Sequence, residues 1–221
     1  PSDDGLRLSP AGGAIRMVDR PVSRYPSRVT PNRNSPASRA AIVLAVVTAS
    51  GSSLAQHITV DGSLSPARTL SGPNYAITAN LGRQVGGNLF QSFGVFGLSS
   101  GETATFSGPA TVANVIGRVT GGSRSSIDGA IKSTIAGASV YLINPAGIVF
   151  GPNATINVSG GFHAASADYL KLSDGARFRA TNPGGSTLSA ASPAAFGFLT
   201  AAPRAITVNG SSLAVNPGQA L

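Results

Sequence analysis

From residue 140 onward the chain repeats one short phrase: two apolar residues one apart, then a polar corner. The pairs are Val140/Leu142, Ile148/Phe150, Ile156/Val158 and Leu170/Leu172, followed by a single Phe178, with Gly, Asn, Ser, Pro or Asp between them. Side chains two apart lie on one face of a strand, and runs this short cannot complete a helix. Asn144-Pro145-Ala146-Gly147 has the residues of a type I turn, because Asn starts such turns, Pro fixes φ at the second position and Gly suits the fourth. Gly151-Pro152-Asn153-Ala154 reads as a second turn. Strands that cross a sandwich sheet run to about five or six residues. Units of about eight residues instead suit a parallel β-helix, in which three short strands and their corners make one coil of about 24 residues.

The rest of the chain agrees with an all-β domain. Gly (28) and Pro (15) are abundant and charged residues are only 11%, as repeated tight turns require. Cysteine is absent, so burial and backbone hydrogen bonds must hold the fold without disulfides. One segment, PATVANVIGRV (109–119), is ambiguous: Val112, Val115, Ile116 and Val119 have helical spacing, but β-branched residues equally favour a strand.

The net charge of +8 is unevenly spread and does not describe a nucleic-acid footprint. Residues 1–55 hold seven Arg and three Asp, while residues 56–221 hold nine bases and five acids, with no basic run and no basic–aromatic interleaving. The N-terminal bases fit a leader. Residues 33–39, with Arg33 and Arg39, form a basic n-region, residues 40–49 form an apolar run, and Ser53-Leu54-Ala55 supplies the small residues of a cleavage site before Gln56. This is the three-part pattern of a secretory signal peptide, and its apolar run is too short for a membrane anchor. The expected organisation is a disordered leader and basic region over 1–39, the apolar core and cleavage site over 40–55, and the mature domain over 56–221. Met17 is the sole methionine and the chain opens on Pro1, so residues 1–16 are expected to be either a fragment or upstream translation. Leu213 to Leu221 reads as the beginning of another coil, and a longer passenger is expected to follow.

Chemistry is sparse in the mature chain. Its acids are Asp61, Glu102, Asp128, Asp168 and Asp174, none spaced as a catalytic pair, and its histidines are His57 and His163. Alternation places Phe162 inward and His163 outward, as a solvated strand residue. There is no nucleophile elbow, no phosphate loop and no metal-ligand cluster, so no catalytic residue, cofactor or metal is expected.

Four stretches together carry a family resemblance: LGRQVGGNLFQSFGVFGLSSGETATF (81–106), NVIGRVTGGSRSSIDGAI (114–131), YLINPAGIVFGPNATINVSGGFHAASADYL (141–170) and GARFRATNP (175–183). They resemble the secretion domain of filamentous-haemagglutinin-type exoproteins, the haemagglutination activity domain of two-partner secretion systems, over nearly all of residues 57–221. The resemblance implies a right-handed parallel β-helix with an N-terminal β cap. It implies recognition in the periplasm by the POTRA domains of a dedicated outer-membrane β-barrel transporter, and export to the cell surface or medium of a Gram-negative-type bacterium. The family's Asn-Pro-Asn-Gly-Ile motif falls on Asn144-Pro145-Ala146-Gly147-Ile148, with Ala at the third position, and its Asn-Leu-Phe-His-Ser-Phe stretch falls on Asn88-Leu89-Phe90-Gln91-Ser92-Phe93, with Gln in place of His. The candidate secretion-motif residues are therefore Asn88, Leu89, Phe90, Asn144, Pro145, Gly147 and Ile148.

Two other functions compete with a secretion-targeting module. A module binding carbohydrate or a host surface would need an exposed aromatic platform, whereas Phe90, Phe93, Phe96, Phe150 and Phe162 are expected to face inward. A pectin-lyase-like β-helix enzyme would need Asp128, Asp168 and Asp174 to converge.

Overall fold

The computed structural model describes residues 57–221. The signal-peptide reading, including the cleavage between Ala55 and Gln56, lies outside the described residues. In chain order the strands are β1 (Ile58–Val60), β2 (Arg68–Thr69), β3 (Asn74–Thr78), β4 (Gly82–Val85), β5 (Asn88–Phe96), β6 (Thr103–Ser107), β7 (Asn114–Val119), β8 (Ser125–Ile127) and β9 (Ala130–Ser133). There follow β10 (Ser139–Ile143), β11 (Ile148–Phe150), β12 (Thr155–Asn157), β13 (Phe162–Ala165), β14 (Tyr169–Leu172), β15 (Arg177–Arg179), β16 (Pro193–Gly197) and β17 (Ile206–Val208).

These strands wind into a parallel solenoid of about four turns. One wall stacks β5, β7, β10 and β13 in parallel, a second stacks β3, β6, β9 and β12, and a third stacks β8, β11 and β17. Asn88 lies opposite Asn114, and Asn114 opposite Ser139, so successive coils step by 26 and 25 residues. At the N-terminal end β1 and β4 pair antiparallel with β5, and β2 pairs antiparallel with β1.

Alternation along the first wall separates two cores. The row Leu89, Val115, Val140 and Phe162 points into the coil, where it packs with Phe93, Phe106, Ile127, Ile148 and Phe150. The neighbouring row, Phe90, Ile116, Tyr141 and His163, points outward. Both rows are largely apolar, so that wall is covered on both faces.

The outer cover is an excursion inserted between β13 and β17. Here β14 pairs antiparallel with β15 and β16, and Leu170, Leu172 and Phe178 close over Phe90, Ile116 and Ile143. Three expectations change as a result. Leu170, Leu172 and Phe178 belong to this antiparallel sheet and not to a further coil. Phe90 is buried against the outer face, with its ring centroid 5.0 Å from that of Phe178, and does not face the coil interior. His163 does lie on the outer face but is half-buried, stacked 4.4 Å from Tyr141, and burial pulls its pKa below the usual histidine value. The ambiguous 110–119 segment resolves as irregular chain followed by strand β7. There Ile116 is taken up by the outer core while Val115 fills the inner one.

Candidate functional site

The corner at residues 144–147 joins β10 to β11 and forms the turn its residues predict. The Gly147 N–H donates to the Asn144 carbonyl at 2.9 Å, and the Ala146 N–H donates to Asn144 Oδ1 at 2.9 Å. The Asn144 side-chain amide then reaches back one coil, donating to the Ser123 carbonyl at 3.0 Å and to Ser125 Oγ at 2.9 Å. Asn144 is only 1% exposed, and each polar atom of its side chain is bonded within the fold. Pro145 and Ala146 are half-buried at the tip, whereas Gly147 and Ile148 are buried.

Gly147 has a specific steric task. Its φ is +96°, which disfavours any side chain, and a Cβ there would sit 2.7 Å from the Ala205 carbonyl oxygen and 3.3 Å from Arg204 Cβ. The corner is bonded on both sides, since Ser125 N–H donates to the Gly147 carbonyl at 3.1 Å and Ile148 N–H donates to the Ala205 carbonyl at 3.3 Å. Three successive passes of chain, at Ser125, Gly147 and Ala205, are thus locked in register here. The next turn is tied in the same way: Ala154 N–H donates to the Gly151 carbonyl at 3.0 Å, and Asp128 of the preceding coil accepts from the backbone and side-chain nitrogens of Asn153 at 2.8 and 3.1 Å.

The second motif, residues 88–90, is buried. Asn114 Nδ2 donates to Asn88 Oδ1 at 2.9 Å, and Asn88 Nδ2 donates to the Ser189 and Ala191 carbonyls at 3.0 and 2.7 Å. Leu89 fills the inner core and Phe90 the outer one. Gln91, which stands where the family has His, points inward and donates to the Thr78 carbonyl at 3.1 Å, leaving its Oε1 buried without a partner. The two motifs therefore serve separate places in the solenoid, and the structure does not bring them into one patch of side chains.

Between them lies a buried site that the sequence did not announce. Arg118 on β7 is 1% exposed. Its Nε donates to Ser92 Oγ at 2.7 Å and its Nη2 to Ser63 Oγ at 2.8 Å, while Nη1 donates to the Arg179 carbonyl at 2.5 Å and to Ser186 Oγ at 2.6 Å. Its guanidinium carbon lies 4.2 Å from the Phe178 ring centre. One side chain thus ties the N-terminal loop, the first wall and the excursion together. Burial lowers its pKa to about 10 despite the favourable charge of Asp61.

The carboxylates are also spoken for. Asp61 accepts from Ser63, Ser92 and Thr120, and Glu102 from Tyr75 and the Ser99 N–H. Asp168 accepts from the Leu199 N–H, and Asp174 from Ser189 and the Ala176 N–H. With Asp128 on Asn153, all five described acids cap turns or tie loops. Asp128, Asp168 and Asp174 have separate partners, and no three His, Asp or Glu gather to hold a metal among the described residues.

No curated protein and no solved structure matches the chain. A family model, that of the TPS secretion domain, matches residues 36–221, which is most of the chain. The chain belongs to the TPS secretion-domain family: it is a secretion module of a two-partner secretion exoprotein, exported across a Gram-negative envelope by a partner outer-membrane transporter.

Proposed function

We propose that this module is read in the periplasm by the POTRA domains of its outer-membrane β-barrel transporter, after a signal peptide has been removed behind Ala55. It then leads an adhesin-like exoprotein to the cell surface, where host or environmental ligands are met by other parts of that protein. The family match carries the transporter reading. The corner geometry supports the manner of recognition. The Asn144 side chain is consumed by Ser123, Ser125 and Ala146, so at the corner a partner meets the Pro145-Ala146 tip and its backbone. Recognition by backbone and shape tolerates variation in side chains, and this accommodates Ala at position 146.

The test is export of the full chain from cells with and without the transporter gene, followed by N-terminal sequencing of the exported protein. Export should require the transporter, and the mature chain should begin at Gln56. Equal export in both strains refutes the transporter reading, and retention of residues 40–55 refutes the signal peptide.

A further inference from the structure

The 144–147 corner borders an open groove of about 600 Å³ on the outer face of the third wall. Arg124 lies at one side of it and Arg204 at the other, with Ala146, Val149 and Thr207 along the floor. Val149 and Thr207 are register partners on β11 and β17, so the groove crosses successive coils. Arg124 immediately precedes β8 and Arg204 precedes β17, two coils later. At a coil spacing of about 4.8 Å their backbones are about 10 Å apart.

Both guanidiniums are exposed, and neither is engaged by another described residue. The backbone that carries Arg204 is nonetheless tied to the corner. The Ala205 carbonyl accepts from Ile148, and the absence of a side chain on Gly147 is what lets this segment approach the corner. An adjoining depression shares Arg204 with Asp168, whose carboxylate is already bonded to the Leu199 N–H. The groove is therefore cationic, with its two arginine backbones about one coil pair apart.

We propose that this groove receives an extended acidic segment of the transporter, with two carboxylates two or three residues apart. Such carboxylates span about 7–10 Å in an extended chain, which matches the spacing of the two arginines. No aromatic ring lines the groove to stack a sugar face, which argues against an acidic saccharide. A second copy of this module is disfavoured as the occupant because all five of its described carboxylates are engaged internally. The proposal rests on the transporter reading above and adds the surface and the chemistry to it.

The experiment is binding of the full mature chain to the full-length transporter in lipid nanodiscs, titrated over salt. It compares wild type with the double variant Arg124→Ala/Arg204→Ala and with a control, Arg68→Ala/Lys132→Ala, which removes two exposed cations elsewhere. The groove variant should bind about ten-fold more weakly at low salt and lose much of the salt dependence, with unchanged melting, while the control stays within about two-fold of wild type. Arg124→Lys/Arg204→Lys should recover most of the affinity. If wild type binds and the groove variant binds equally with the same salt slope, the groove assignment falls and the transporter reading stands. If wild type does not bind the transporter, both fall. Equal binding to transporter-free nanodiscs of acidic lipid overturns the assignment in favour of a membrane surface, and salt-sensitive self-association lost in the groove variant overturns it in favour of a second copy.

Discussion

Arg118 and Asp61 are joined through two serine hydroxyls. Ser92 Oγ accepts from Arg118 Nε and donates to Asp61 Oδ2, and Ser63 Oγ accepts from Arg118 Nη2 and donates to Asp61 Oδ1. Each hydroxyl is used as donor and acceptor at once, so the buried cation is compensated without leaving a hydroxyl unsatisfied. Arg118→Ala should destabilise the domain by about 3–5 kcal/mol, since it strands Ser92, Ser186 and the Arg179 carbonyl beneath the excursion. Arg118→Lys should recover only part of that loss, because an ammonium lacks the planar fork that reaches several segments. Chemical denaturation checks both, and a loss below about 1 kcal/mol for Arg118→Ala would be inconsistent with a buried staple.

The same network predicts the acid response. Partial burial pushes the Asp61 carboxyl up, but hydrogen bonds from Ser92, Ser63 and Thr120 outweigh burial and hold it below the usual carboxylate value. A depressed folded pKa means that its stabilisation is complete above the unfolded value of about 3.9 and is lost as pH falls through the lower folded value. Melting temperature should therefore begin to drop as pH falls below about 4 and keep dropping through the lower folded value. Asp61→Asn should be less stable at neutral pH and show a shallower acid limb. Parallel acid limbs for the two proteins would rule out this role.

Phe150 occupies the centre of the inner core at 2% exposure, edge-on to Phe162 with ring centroids 6.2 Å apart. Phe150→Ala should cost about 3–5 kcal/mol, read by urea unfolding, because stacked coils above and below restrict collapse into the space. A cost near that of a surface substitution would contradict the stacking described here.

The sequence revealed what is local. Turn chemistry at Asn144, Pro145 and Gly147 and the alternation of Val140/Leu142 and Ile148/Phe150 arise from neighbours within a few residues, so the solenoid and its corners could be read directly. The excursion could not, because Leu170 and Leu172 keep the same alternation in an antiparallel sheet as they would in a coil, and only register separates the two. Phe90 sits beside Leu89, both apolar, and nothing local says which faces the inside once a second core covers the outer face. No local partner marks Arg118 as buried, because its partners Ser63 and Ser186 are 55 and 68 residues away. The available signal was Ile116, an apolar residue two positions earlier on the same outward face, which marks that face as covered. That residues 88–90 lie on a strand and 144–147 at a corner was legible, but their burial was not, since it depends on long-range contacts such as Asn88 with Ala191.

Export yield and transporter affinity, measured beside unfolding free energy for three corner variants, test the central claim most directly. Asn144→Ala removes the bonds to Ala146, Ser123 and Ser125 and should cost about 2–4 kcal/mol. Pro145→Ala should cost about 0.4–1 kcal/mol through a looser unfolded chain. Ala146→Asn, at the half-buried tip, should change stability by less than about 0.5 kcal/mol. If the corner acts through shape, export and affinity follow stability in that order, with Ala146→Asn close to wild type. Loss of export and affinity in a corner variant that remains as stable as wild type would contradict the account and assign recognition to the corner side chains themselves.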